Sequence, residues 1–390
     1  MTRYIYQLAE WPKFTWDHDA VAVPLADIRY RQGRLLGRME GLGFSLQQEA
    51  ELETLTLDVV KSSEIEGENL NTDQVRSSIA RRLGMDIAGA IPANRNVEGV
   101  VEMMLDASQN FDKPLTEDRL FAWHAALFPA GRSGMRKIIV GAWRDDADGP
   151  MEVVSGPMGK ERVHYEAPAA PLVNKEMAQF FDWANESDGT DPVLRAALAH
   201  LWFATIHPFD DGNGRMARAI ADWALARSEK SPQRFYSMSS RIRQERDDYY
   251  EILERTQKGM LDVTAWMVWF LVCLGRAFEG TETTLATVLH KARFWQKHAE
   301  VNINERQRLL LNKILDGFDG KLTSSKWAKI AKCSQDTAIR DIKDLVSHGV
   351  LEKDTGGGRS TSYSLYRRSF AKGSNSFGRY SEVVKVLAGD

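Results

Sequence analysis

"ALAHLWFATIHPFDDGNGRMAR", Ala197 to Arg218, joins an apolar run to a dense polar cluster. The run up to Ile206 reads as a buried helix, and Pro208, which cannot continue a helix, ends it. The polar residues therefore sit in a loop, and the next helix begins near Gly214. Gly212 and Gly214 let the backbone turn tightly with its N–H groups inward, while the new helix aims its positive end into the same space. Together they make an anion cradle suited to phosphates. Arg215 and Arg218, three apart on the first turn, share a face and add donors for phosphate oxygens. An aspartate in such a place suits a hard cation such as Mg²⁺, which bridges carboxylate and phosphates. His207 is the one group of the stretch able to exchange a proton near neutral pH. Each residue alone fits an ordinary helix–loop–helix junction. The combination, led in by an apolar helix, points to a phosphate site.

Outward from this stretch the chain is helical. Apolar residues recur at threes and fours from Leu25 to Val60, broken at Gly41 and Gly43, which predicts two helices. The same period covers Val97 to Ser108, Glu117 to Leu127, Asn174 to Ala184, Asp191 to Thr205, Gly214 to Arg227, Ile242 to Gln257 and Val263 to Phe278. "MEVVSGPMGKERVHYEAP", Met151 to Pro168, is the exception: two short β-prone runs flank a turn-rich segment, as in a hairpin.

The tail differs. From Lys321 onward there are 13 Lys/Arg against 7 Asp/Glu, a local charge of +6 in a chain whose total is -3. "LTSSKWAKIAKCSQDTAIRDIKDLVSHGVLEK" reads as two short helices, and "VLEKDTGGGRSTSYSLY" as strand, Gly-rich tip, strand, so this part resembles a winged helix-turn-helix. Arg340, Lys343 and Arg359 beside the Gly356–Gly358 wing suit phosphate contacts, whereas Asp336, Asp341 and Asp344 share the same helix. DNA and protein partners are both open for it.

At 390 residues, with 43% hydrophobic and 27% charged, the chain implies two or three domains, and bulk charge implies no nucleic-acid or membrane partner. "AWMVWFLVCL", Ala265 to Leu274, stops at Gly275-Arg276, short of a membrane span. "MTRYIYQLAEWPKF" lacks the apolar core of a secretory signal, and Cys273 and Cys333 fall in different predicted domains. A cytoplasmic home is expected.

His207 to Arg218 matches the Fic family motif HPFx(D/E)GNGRxxR at every defined position. That resemblance implies an all-α fold: a Fic-type catalytic domain over 91–280 with a small β-hairpin flap, a helical extension over 1–90 and the winged tail over 285–390. It also implies transfer of AMP from ATP-Mg²⁺ to a Ser, Thr or Tyr hydroxyl of a protein, with pyrophosphate released. His207 would be the base and Asp211 the Mg²⁺ ligand. Gly212, Asn213 and Gly214 would line the cradle, with Arg215 on the phosphates near the cleaved bond and Arg218 on the γ-phosphate. "KSSEIEGEN", Lys61 to Asn69, contains Ser62-x-x-x-Glu66-Gly67, similar to the family's inhibitory motif. Glu66 would then pair with Arg218 and exclude the γ-phosphate. The stretch Val163, His164, Tyr165, Glu166 aligns with the family's flap, which pairs with a target peptide and borders the nucleotide. In "DDYYEILERTQKG" the resemblance puts Tyr249 and Gln257 near the adenosine and leaves Tyr250 to the core. His164 and His200 have no evident metal partner and read as structural.

Besides the self-inhibited adenylyltransferase, two readings stay open. One is a Fic-fold enzyme that removes AMP or uses another nucleotide or phosphate donor; the other is a DNA-binding regulator acting through the tail. The expected partners are ATP as substrate with Mg²⁺, a target protein on the 151–168 flap, the chain itself as a target, and a second copy, since a self-held enzyme has a use for a dimer interface.

Overall fold

Helices follow one another along the chain as its periodicity predicts. In the computed structural model the described residues are 4–87, 89–147, 149–156, 160, 162–318, 320–354 and 361–366. A 3-10 turn at Ile5–Gln7 precedes α1 (His18–Glu40), α2 (Phe44–Ile65), α3 (Thr72–Arg82), α4 (Arg95–Gln109) and α5 (Glu117–Leu127). Two antiparallel pairs come next, β1 (Arg132–Ser133) with β2 (Arg136–Lys137), and β3 (Glu152–Ser155) with β4 (Arg162–Glu166). Then follow α6 (Ala170–Asn185), α7 (Pro192–Ile206), α8 (Asn213–Glu229), α9 (Met238–Gln244), α10 (Arg246–Gln257) and α11 (Thr264–Lys297). The chain divides into two compact units, Met1–Ala286 and Thr287–Asp390.

The first unit is built around α7 and α8. "VLRAALAHLWFATI" is apolar nearly all round, and α7 is accordingly buried from Val193 to Ile206 with the exception of Arg195. On α8 the small residues Ala217, Ala219, Ala221, Ala224 and Ala226 let neighbouring helices close in. The Trp266 indole donates to the Ala197 carbonyl (2.8 Å) and so ties α11 to α7. The leading segment belongs to this same core: the rings of Trp11 and Phe14 stand edge-on to Trp202, at 6.1 and 5.7 Å. Helix α1 is fastened by Arg29 to Asp191 (2.8 Å), Arg31 to Glu279 (2.5 Å) and Arg38 to Glu282 (2.8 Å).

Where α4 crosses α5, a Cβ built on Gly99 would overlap the carbonyl of Ala126. Neither backbone can yield, so Gly99→Ala is expected to cost roughly 2–4 kcal/mol in urea unfolding through overpacking. A loss under ~0.5 kcal/mol would show the crossing to be loose.

The second unit contains α12 (Glu305–Leu315), β5 (Leu322–Thr323), α13 (Ser324–Ile330), α14 (Gln335–Ser347), β6 (Leu351–Lys353) and β7 (Ser362–Leu365). Its strands form one antiparallel sheet in the order β5-β7-β6. Trp327, Leu310, Leu311, Ile342 and Leu345 fill its core. The expected Gly356–Gly358 tip and Arg359 lie outside the described residues.

The mainly helical expectation holds; besides α12 and the β1–β2 pair, which no predicted element covers, the structure departs from it in three places. The run Ile242 to Gln257 is two helices, α9 and α10, broken at Glu245 (φ -109°, ψ 35°). Helix α11 continues far beyond Phe278, to Lys297. Helix α3 has no counterpart in the periodic pattern, because only Val75, Ile79 and Ala80 give it an apolar stripe.

Candidate active site

The apolar helix α7 ends at His207, which caps it in the left-handed conformation (φ 52°, ψ 57°). A non-glycine residue held there is strained, and the surroundings hold it firmly. Arg144, 3% exposed, donates from Nε to the His207 carbonyl (2.8 Å) and from its backbone N–H to Pro208 O (3.0 Å). The Phe209 ring plugs the core beneath the loop and stacks on His124, centroids 4.2 Å apart. Asn213 closes the turn: its carboxamide accepts from the Phe209 N–H (3.0 Å) and donates to the Phe209 carbonyl (2.7 Å).

His207 Nδ1 lies 3.2 Å from the carbonyl of Ala204. A carbonyl can only accept, so the proton sits on Nδ1 and the lone pair on Nε2. Burial pushes this imidazole down to about 4, against the weaker upward pull of the Ala204 carbonyl. It is neutral at physiological pH. His124 takes the opposite tautomer, its Nδ1 accepting from Gly141 N–H (3.2 Å) and its Nε2 donating to the Asp211 carbonyl (3.1 Å). Burial holds it neutral too, at about 4.

Asp211 turns one carboxylate oxygen to the Gly212 N–H (2.5 Å) and accepts a hydroxyl hydrogen bond from Ser133 on the other. Asp210 accepts from Ile139 N–H (2.8 Å). Space is tight at both neighbouring glycines. Gly212 has φ +81°, and a Cβ on it would come within 2.9 Å of the Phe128 ring; a Cβ on Gly214 would overlap the Glu66 carboxylate.

Glu66 thus lies against the first turn of α8, at the positive end of that helix. Its Oε1 is 2.8 Å from Nη1 of Arg218, a side chain only 2% exposed. The same guanidinium donates from Nε to the Ser62 hydroxyl (2.9 Å) and from Nη2 to the Ser62 carbonyl (2.8 Å). Ser62, Glu66 and Arg218, which the sequence suggests as a set, are in contact across 156 positions of chain. Gly67 (φ +82°) reverses the chain after α2, and Arg246 caps that helix through the Ile65 carbonyl (2.9 Å). Arg215 pairs with Glu68 at 2.8 Å.

The hairpin β3–β4 borders this loop. Val163 is exposed, and the buried Tyr165 hydroxyl donates to the Thr205 carbonyl (2.6 Å) on the last turn of α7. His164 bridges Ser155 and Glu254 (2.6 Å to Glu254 Oε2), and Glu166 pairs with Glu152 in the strand register. Residues 157–159 and 161 of the expected 151–168 flap lie outside the described residues. Gln257 is buried and donates to the Ala204 carbonyl (3.3 Å), the same oxygen that faces His207.

Both tyrosines of α10 approach the Glu66–Arg218 pair. Tyr249 is buried, 2% exposed, with its hydroxyl on His200 Nε2 (2.9 Å), its ring against Trp266 and Trp269, and Arg218 beside it. Tyr250, expected in the core, is half-buried and lies near the same Glu66 and Arg218. In helix α10 the apolar face belongs to Tyr249, Ile252 and Thr256, so Tyr250 turns one position outward. Three further residues of the site, Arg144, His124 and Glu68, are not among those the sequence singles out. Arg144 and His124 act on loop carbonyls 63 and 87 positions away, which leaves no local signal.

Residues 114–225 match the Fic/DOC family, the span that holds the loop, His124 and Arg144. The chain carries a Fic/DOC domain. Residues 4–85 match a second family, described as a domain of unknown function (DUF4172). The chain is 33% identical over 130 residues to "Protein adenylyltransferase Fic" of Nematostella vectensis, covering 32% of this chain and 28% of that one. It is 31% identical over 139 residues to "Uridine 5'-monophosphate transferase" of Xanthomonas campestris pv. campestris (strain 8004), covering 33% and 24%. These matches therefore span about a quarter of the relatives' own length. A crystal structure of a Fic family protein from Desulfovibrio desulfuricans G20, 22% identical, aligns over 93% of this chain and 99% of that one with a TM-score of 0.52, which is likeness of fold. Among the described residues, no helix is long and apolar enough to cross a membrane, and no group of three or more His, Cys, Asp or Glu could cage a metal ion.

Proposed function

We propose that this Fic protein is a self-inhibited nucleotidyltransferase, moving AMP from ATP to a Ser, Thr or Tyr hydroxyl of a protein. The observation that carries the reading is the Glu66–Arg218 pair at the head of α8 beside a complete His207–Arg218 loop. His207 Nε2 takes the proton of the incoming hydroxyl, whose oxygen forms a bond to the α-phosphorus. The bond from that phosphorus to the bridging oxygen breaks, and pyrophosphate leaves. Arg215 and Arg218 hold the phosphates. Arg144, His124 and Asn213 are positioning residues, since they hold loop backbone in place.

Asp211 would hold Mg²⁺, an ion commonly bound by one carboxylate plus substrate phosphates rather than by an all-protein cage. The Asp211 carboxylate, held in the loop by the Gly212 N–H and the Ser133 hydroxyl, supplies a hard oxygen donor of that kind. When bound, the ion neutralises charge on the leaving pyrophosphate.

Glu66 keeps the resting form silent by occupying Arg218, so that a triphosphate binds with its α-phosphate out of line for attack. A target segment would add as a strand beside β3–β4, where the Val154 and Val163 side chains are exposed. Glu66→Gly protein is incubated with ATP, UTP and an AMP-modified protein, each with Mg²⁺, and products are weighed. AMP adducts support the proposed donor. UMP adducts would move the reading toward the Xanthomonas relative's chemistry, and loss of AMP from the modified protein toward its removal.

The second unit favours a further role, as a winged helix-turn-helix that binds duplex DNA. Of the three aspartates that argue against this, Asp341 is buried against Arg306 (3.0 Å) and Asp344 accepts from Gln307 (2.7 Å). Arg340 and Lys343 remain exposed on α14, as do Lys329 and Lys332 before it. Full-length protein should bind a labelled duplex with affinity that falls steeply with salt, and Arg340→Glu with Lys343→Glu should weaken it at least ~tenfold. Salt-insensitive self-association without DNA binding would make the unit a docking module instead.

A further inference from the structure

Arg215 is 3% exposed, and its guanidinium lies over the Phe128 ring, 5.1 Å from the centroid. Its Nε is buried without a hydrogen-bond partner. One Nη is 2.8 Å from Oε2 of Glu68, whose side chain is 46% exposed. A donor left unmet beside a pair that reaches solvent is poised for another anion to take the carboxylate's place.

Glu68 is not an isolated surface residue. It stands two positions after Glu66, across Gly67, and its N–H closes on the Ser63 carbonyl at 3.0 Å. One turn at the end of α2 therefore presents two carboxylates to two arginines that are three apart on α8. Both arginines face the same cradle. Removing Glu66 alone leaves Arg215 engaged and leaves a negative charge beside any incoming phosphate.

We propose that Glu68 is a second inhibitory carboxylate, closing the Arg215 phosphate seat as Glu66 closes that of Arg218. The proposal rests on the nucleotidyltransferase reading above. It divides the phosphate chain between the two acids: Glu66 excludes the terminal phosphate of a triphosphate, and Glu68 opposes the phosphates nearer the nucleoside. Whatever withdraws the end of α2 frees both seats together.

The test is calorimetric titration of the full chain, carrying His207→Ala throughout to prevent turnover, with ATP-Mg²⁺, ADP-Mg²⁺ and adenosine. Glu68→Gln should tighten ATP and ADP alike by roughly tenfold while leaving adenosine unchanged. Glu66→Gly should tighten ATP and leave ADP nearly unchanged, and the double variant should show both gains. Unchanged ATP and ADP affinities in Glu68→Gln, with ATP still tightened by Glu66→Gly, would overturn the second carboxylate and leave the transferase reading standing. A gain that extends to adenosine would show general loosening and would equally overturn it. If no variant binds any adenine nucleotide, both fail.

Discussion

Glu66→Gly is expected to raise the rate of AMP transfer by roughly two orders of magnitude, the equivalent of about 3 kcal/mol at the barrier. The magnitude follows from what Glu66 holds. Arg218 is almost fully buried, and its charge is met by Glu66 at 2.8 Å and by the two oxygens of Ser62. A γ-phosphate must displace that carboxylate before it can use the guanidinium. With Glu66 gone, Arg218 keeps its contacts to Ser62 and loses its counter-charge, so the nucleotide-free variant should be less stable by roughly 1–3 kcal/mol. ATP-Mg²⁺ should restore that stability by mass action, more fully than ADP. Transfer rate and thermal midpoint, read with and without nucleotide, check both halves. A variant that is faster but no less stable would mean that the pair contributes nothing to the resting fold.

His207→Ala in the Glu66→Gly background should reduce transfer by about 10³-fold while leaving ATP affinity within a factor of about two, because general-base removal acts on the chemical step. The pH dependence carries a sign. A base whose imidazole is held at about 4 by burial is unprotonated above that value, so kcat/KM should stay level as pH falls from 8 to 6. Loss of activity centred at the ordinary histidine value near ~6.5 would show that His207 is solvated in the working form.

The loop is legible in the sequence because its constraints are local. Pro208 stops a helix, Gly212 and Gly214 leave room for ring and carboxylate, and Arg215 and Arg218 share a face by helical spacing alone. Gly41 and Gly43 likewise mark the end of α1 and the start of α2. The places where tertiary packing decides are illegible. Glu245 breaks α9 from α10 without a glycine or proline to announce it. The polar run Glu279 to Thr284 looks like a linker yet is helical, with Arg31 and Arg38 meeting Glu279 and Glu282 across from α1. Tyr249 and Tyr250 are chemically identical, and only the direction of the apolar face on α10 makes the first buried and the second half-buried. Arg144 and His124 serve backbone carbonyls brought close by the fold. Glu68, by contrast, carries a usable signal: a second acid two residues beyond the inhibitory glutamate, on the same glycine turn.

The most direct test is to follow label from ATP carrying radioactive phosphorus at either the α- or the γ-phosphate, using wild type, Glu66→Gly and Glu66→Gly/His207→Ala. The expected result is protein-bound α label that is scarce in wild type, abundant in Glu66→Gly and absent from the double variant, with no γ label on protein in any of them. Bound γ label, or α label as abundant in wild type as in Glu66→Gly, would contradict nucleotidyl transfer held in check by Glu66.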